Sequence, residues 1–169
     1  EDIFYMMPGL RYIYGLTMPF FGESIFGALL IISLAPIAIR QILMSTFNKK
    51  WQSIMLSCFL IIPIFEAFGF YQIYLAKYTI EGFGAGIAIT CIIFAFLFLW
   101  QKDAKNYTNI NLLKAGFCLF VAIALRPNYL PFIAVLLIGL FIYLIIIKNR
   151  YKIVPLSIGF SPILLITFH

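Results

Sequence analysis

Along most of this chain, long apolar runs alternate with short breaks that hold nearly all of the charge. Six runs can be read: Ser24 to Met44, Ser53 to Tyr74, Gly82 to Gln101, Leu112 to Leu125, Tyr129 to Ile147 and Ile153 to Phe168. A helix that crosses a bilayer needs roughly 17–25 apolar residues. Most of the runs meet that length; the fourth is short and the last stops at the chain end. The pattern predicts an all-α protein, a polytopic transmembrane helical bundle of about six spanning helices. Pro36, Pro63, Pro131, Pro155 and Pro162 fall within or near the runs, where a membrane helix tolerates them and they mark kinks.

The region ahead of the first run has a different texture. Glu1 and Asp2 open it, Pro8-Gly9 predicts a turn, and an apolar stretch with Tyr12, Tyr14, Met18 and Phe20 follows. That stretch is too short to span before Gly22, so it predicts a helix lying in the membrane interface with its tyrosines at headgroup level. An ordinary loop is the plain alternative. The domain reading is therefore an extracytoplasmic loop and interfacial helix over 1–23 and a transmembrane bundle over 24–169. Because the chain opens on Glu1 and stops directly after an apolar run, the bundle is expected to continue beyond both ends.

Composition agrees with the class. The chain is 64% hydrophobic and 11% charged, with a mean hydropathy of +1.06, 19 Phe and 10 Tyr. A soluble domain carries about a quarter charged residues. Cys58, Cys91 and Cys118 all lie inside apolar runs, which suits small buried hydrophobes and argues against a disulfide framework or a zinc site. The lone His169 has no partners at metal-ligand spacing.

Charge then orients the runs. Arg40, Lys49, Lys50, Lys102, Lys105, Lys114, Lys148, Arg150 and Lys152 fall in one alternating set of breaks, against Arg11, Lys77 and Arg126 in the other. The positive-inside rule puts the first set in the cytoplasm. Glu1, Asp2, Glu23, Glu66 and Glu81 fall on or toward the opposite side. The net charge of +6 is thus an orientation signal, and no aromatic–basic groove for single strands accompanies it. Nucleic acid is not an expected partner; the bilayer is.

One basic residue resists this scheme. Between Lys114 and Arg126 lies an apolar run of eleven residues, Ala115 to Leu125, so the two cations stand only about 18 Å apart along a helix. The hydrocarbon slab is about 30 Å thick. Lys114 can snorkel, which leaves Arg126 at membrane depth beside a polar cavity, a functional-site hypothesis by default.

The order of features resembles a known family. An acidic, tyrosine-bearing outer loop leads to Pro8-Gly9-Leu10-Arg11-Tyr12, then a short interfacial helix, then Phe21-Gly22-Glu23-Ser24 and a spanning run. This resembles the region after the first transmembrane helix of the GT-C superfamily of membrane glycosyltransferases, the dolichyl- or polyprenyl-phosphate-sugar-dependent enzymes of the protein-mannosyltransferase-like kind. Tyr74 to Gly82, with Lys77 and Glu81, looks like an outer turn of that family, and Ala124-Leu125-Arg126-Pro127-Asn128 resembles its Arg-Pro-Asn step. The resemblance implies a multi-pass enzyme of the plasma membrane (the inner membrane of a bacterium) with an extracytoplasmic active site. It would move a sugar from a polyprenyl-phosphate donor to an acceptor glycan, lipid or protein.

That chemistry assigns roles. An outer carboxylate deprotonates the acceptor; the family places an aspartate in the first outer loop, so Asp2 and Glu1 are the candidates here, the alternative being an acid upstream of Glu1. Fixed cations stabilise the growing charge of the leaving lipid phosphate, with Arg the better holder of two oxygens in a plane. Arg126 is the first candidate for this contact and Lys77 and Arg11 the next, each weighed against an interfacial charge or, for Arg126, a helix C-cap. Glu66, which follows Pro63 in the outer part of its run, Glu81, Asn128 and Tyr12 are substrate-binding candidates. Glu81 could equally be a carboxylate favoured by a helix N-terminus. Some branches of the superfamily hold a divalent cation with acids; adjacent Glu1-Asp2 would be a poor site alone, and no metal or other cofactor is expected. Membrane-depth Arg and Glu with Pro kinks also suit a transporter or flippase for an anionic lipid or sugar, although no internal repeat is visible. A surface-polysaccharide ligase or polymerase and a purely packing subunit complete the alternatives.

Overall fold

The computed structural model describes residues 8–22, 26–61, 80–100 and 108–162. Among them every regular element is helical and no strand occurs. The helices are α1 (Pro8–Phe21), α2 (Phe26–Ile32), α3 (Ala35–Thr46), α4 (Lys49–Ile61), α5 (Ile80–Leu99), α6 (Asn109–Leu125), α7 (Leu130–Ile146) and α8 (Ile153–Phe160). Short 3-10 turns, Pro127–Tyr129 and Arg150–Lys152, join α6 to α7 and introduce α8.

Among the described residues, two stretches are long and apolar enough to cross a membrane, against about six expected from the sequence: Phe26–Thr46, which joins α2 and α3, and Pro127–Ile146. Only 11% of the second is buried. A core helix of a soluble protein would be mostly covered, whereas this helix packs one face through Ile133, Leu137 and Leu144 and presents its other apolar side chains to the surroundings. Val135, Ile138, Ile142 and Ile146 are all more than half exposed on it.

Local chemistry explains the element ends. The break between α2 and α3 falls at Ser33–Leu34, just before Pro36, whose missing N–H cannot continue the helical ladder. Ser33 Oγ compensates by donating to Leu30 O at 2.6 Å. Pro8, by contrast, starts α1 instead of making the expected turn; in a first turn its N–H would be unsatisfied anyway, and its fixed φ suits a helix. α6 begins three residues earlier than the apolar run, because Thr108 caps it by accepting from Asn111 N at 3.2 Å.

The end of α7 is a complete Schellman motif, with Asn149 N donating to Leu144 O (2.9 Å) and Lys148 N to Ile145 O (3.1 Å). Lys148 occupies its left-handed position, φ 58°. Glycine is the usual residue there, and a side chain costs about 1–2 kcal/mol of backbone strain.

α6 is the central helix. It packs chiefly against α5 and α8, and more lightly against α1. Its buried residues Leu112, Ala115, Gly116, Leu119, Ala122, Ile123 and Leu125 face these neighbours, and small residues let the backbones approach, the usual basis of helix association in lipid. At the crossing with α8 the approach is extreme. A Cβ on Gly116 would strike Leu156 O and lie 3.0 Å from Phe160 N, and one on Gly159 would strike Leu113 O. On α5, buried Thr90 closes its own hydroxyl onto Gly86 O at 2.8 Å, leaving no open donor in an apolar contact.

Candidate functional site at the end of α6

Three contacts fix which helix ends lie together. Trp100 Nε1 donates to Thr46 Oγ1 at 3.0 Å, joining the end of α5 to the end of α3. Lys114 Nζ stands over the Phe98 ring, 5.6 Å from its centroid, joining the first half of α6 to the end of α5. The Gly116–Leu156 and Gly159–Leu113 approaches set the second half of α8 against that same half of α6. The break at Phe47–Asn48 therefore belongs to the Asn109 end of α6, and Arg126 to its other end; the short 3-10 turn after Arg126 and the equal 17-residue lengths of α6 and α7 imply an antiparallel return that brings Ile147–Lys152 back toward the Asn109 end.

Lys114 changes the sequence argument. α6 has 17 residues and so spans about 26 Å, with Lys114 inside it, exposed and leaning on Phe98. The apparent conflict between two cations about 18 Å apart is resolved by lengthening the helix on the Asn109 side. In a slab about 30 Å thick, a helix of that length would put Arg126 near a rim and not at mid-depth.

At that rim, Arg126 is the C-cap of α6, extended at φ −143° and ψ 91°, as a residue before proline must be. Its N–H donates to Ala122 O and its carbonyl accepts from Tyr129 N, both at 3.0 Å. The side chain is partly buried, with Nε sealed from solvent. Leu125, fully buried, precedes it; Pro127 and Asn128, both exposed, follow on the 3-10 turn. A guanidinium so placed has its stem held by packing and meets solvent at the edge of an apolar bundle, the arrangement that suits a phosphate oxygen pair.

The other candidates fall as follows. Asn128 is exposed two positions beyond Arg126, within reach of the same rim. Tyr12 lies with Leu16 and Phe20 on the exposed stripe of α1, while Ile13 and Tyr14 pack on the core; four-residue spacing gives that helix an apolar outward face. Arg11 belongs to the first half of α1 and Glu81 to the first turn of α5, where a carboxylate favours the helix dipole; only their backbone positions are described. Glu1, Asp2, Glu66 and Lys77 lie outside the described residues. None of the described side chains is acidic, and among them no three His, Cys, Asp or Glu stand together. Cys58, Cys91 and Cys118 are free and partly buried.

Sequence reasoning missed the Trp100–Thr46 clasp and the left-handed Lys148. The first joins residues far apart in the chain, and no local pattern announces it. The second breaks the usual glycine signal for a helix end. No family model matches the chain, and no curated protein or solved structure matches it.

Proposed function

We propose that this chain is the helical part of a multi-pass plasma-membrane glycosyltransferase, with Arg126 holding the phosphate of a polyprenyl-linked sugar donor at the extracytoplasmic rim. The observation that carries the reading is the position of Arg126: a partly buried guanidinium at the end of the central helix, opposite the end where the basic turns collect. A lipid phosphate travels in the plane of the membrane and reaches such a rim without leaving the bilayer. Developing negative charge on it gains from a cation fixed beforehand by packing. The resemblance of Pro8 to Tyr12 and of Arg126-Pro127-Asn128 to the GT-C pattern supplies the sugar-transfer chemistry. In that scheme Asp2 or Glu1, or an acid ahead of them, takes the acceptor proton, and Asn128 offers hydrogen bonds to sugar hydroxyls. Lys77, Arg11, Glu66 and Glu81 would line the outer face.

The remaining helices fit a membrane setting. α1 presents Tyr12, Leu16 and Phe20 outward, and α7 is apolar and uncovered along most of its length. Full-length protein in vesicles is expected to transfer label from a polyprenyl-phosphate sugar to an added acceptor, and to leave nucleotide sugars untouched. Equal use of a nucleotide sugar, or no transfer from the lipid donor, contradicts the proposal.

A further inference from the structure

The end of the bundle opposite Arg126 carries a second surface. The Trp100–Thr46 and Lys114–Phe98 contacts bring the turn after α3 to that end, and the antiparallel return of α7 from Arg126 over 17 residues brings the turn before α8 to it. One turn holds Lys49, Lys50 and Trp51, the other Lys148, Arg150 and Tyr151, and all six side chains are exposed. Trp100, also exposed, is tied to Thr46 beside the first of these turns. Arg40 adds a further exposed cation one helical stretch inward.

We infer that this end binds the headgroups of anionic phospholipids. The inference rests on the membrane reading but not on the sugar-transfer reading. Each turn sets cations directly beside an aromatic ring. Rings of Trp and Tyr settle at headgroup level, and lysines and arginines held there attract acidic lipid within a Debye length. An acidic protein would complement the charge as well, but it would give no reason for the aromatic neighbours.

Lys148 strengthens the case. It keeps a charged side chain at the left-handed position of the Schellman motif, where glycine would relieve the backbone. Favourable interaction of a cation with the α7 dipole is one reason to keep it. That reason serves stability alone, so the two roles separate experimentally: relief of strain and loss of lipid preference point in opposite directions when lysine becomes glycine.

The chain's two tryptophans, Trp51 and Trp100, both report on this end. The protein is reconstituted in phosphatidylcholine vesicles containing either brominated phosphatidylglycerol or brominated phosphatidylcholine. Emission remaining in the Trp51→Phe/Trp100→Phe variant is subtracted. The anionic lipid is expected to quench at a several-fold lower mole fraction than the zwitterionic one, and since one cation near the surface is worth up to about fivefold at low salt, removing two should bring the preference close to unity. Lys49→Gln/Lys50→Gln and Lys148→Gly/Arg150→Gln should each reduce it, while Lys148→Gly alone leaves unfolding resistance equal or higher. Salt near 1 M should flatten the preference, as the screening length falls to about 3 Å. Equal quenching by both lipids, or a preference that the neutralised variants retain, overturns the inference while leaving the membrane reading intact. Quenching by neither lipid overturns both.

Discussion

Gly159→Ala and Gly116→Ala are each expected to lower resistance to unfolding by about 1–3 kcal/mol, whereas Gly139→Ala is expected to be neutral or to gain up to about 1 kcal/mol. The contrast follows from what a new methyl group meets. Alanine is the better helix former by about 1 kcal/mol wherever the site is open. Gly139 on α7 is open, with nothing within 4 Å of an added Cβ. At Gly159 the added atom strikes the Leu113 carbonyl, and at Gly116 the Leu156 carbonyl. Backbone atoms cannot step aside as a flexible side chain would, so α8 must move off α6 as a body. Close approach is also what holds helices together in lipid, where no hydrophobic force drives them. Detergent-induced unfolding of the three variants measures the effect. If Gly159→Ala and Gly116→Ala match Gly139→Ala, the α6–α8 crossing is not the one described.

Arg126→Ala should lower sugar transfer from a polyprenyl-phosphate donor by about 10²–10³-fold, the usual effect of removing one preorganised donor to a developing anion. Arg126→Lys should also lose most of its transfer, since an ammonium is a point charge and cannot hold two phosphate oxygens in a plane. Residue 126 also ends α6, so a structural role must be separated from a chemical one. The cap uses only its backbone: the N–H to Ala122 and the carbonyl from Tyr129 survive in both variants. Membrane insertion and unfolding resistance of the lysine variant should therefore stay near those of the parent while kcat falls. Transfer that survives Arg126→Ala removes the phosphate role.

The fold was legible in the sequence wherever a helix is bounded by a local cause. The chain leaves its helix at Arg126 because Pro127 forbids α geometry there, and the kink ahead of Pro36 has an equally local origin. Both could be read from single residues. Pro8 could not, since a Pro-Gly pair serves a turn and a helix start equally well, and the choice depends on what α1 packs against. The α6–α8 crossing was illegible for a different reason. Gly116 and Gly159 are each unremarkable in their own runs, and only the docking of one helix on another gives them a meaning. For the site, Arg126 stood out because its charge violated the spacing of the breaks. The full length of its helix depended on Thr108, a cap that lies outside the apolar run and so outside a hydropathy argument. Tyr12 was legible only by residue type, and helical periodicity with Leu16 and Phe20 adds that it lies on an apolar outward stripe.

The central claim is that the basic turns and Arg126 lie on opposite sides of a membrane. Single cysteines at positions 49, 149 and 128, in protein whose Cys58, Cys91 and Cys118 have been replaced, test it by modification with a membrane-impermeant thiol reagent in sealed, oriented vesicles. Lys49→Cys and Asn149→Cys should react only from the cytoplasmic side and Asn128→Cys only from the other. Reaction of all three from one side would contradict the account.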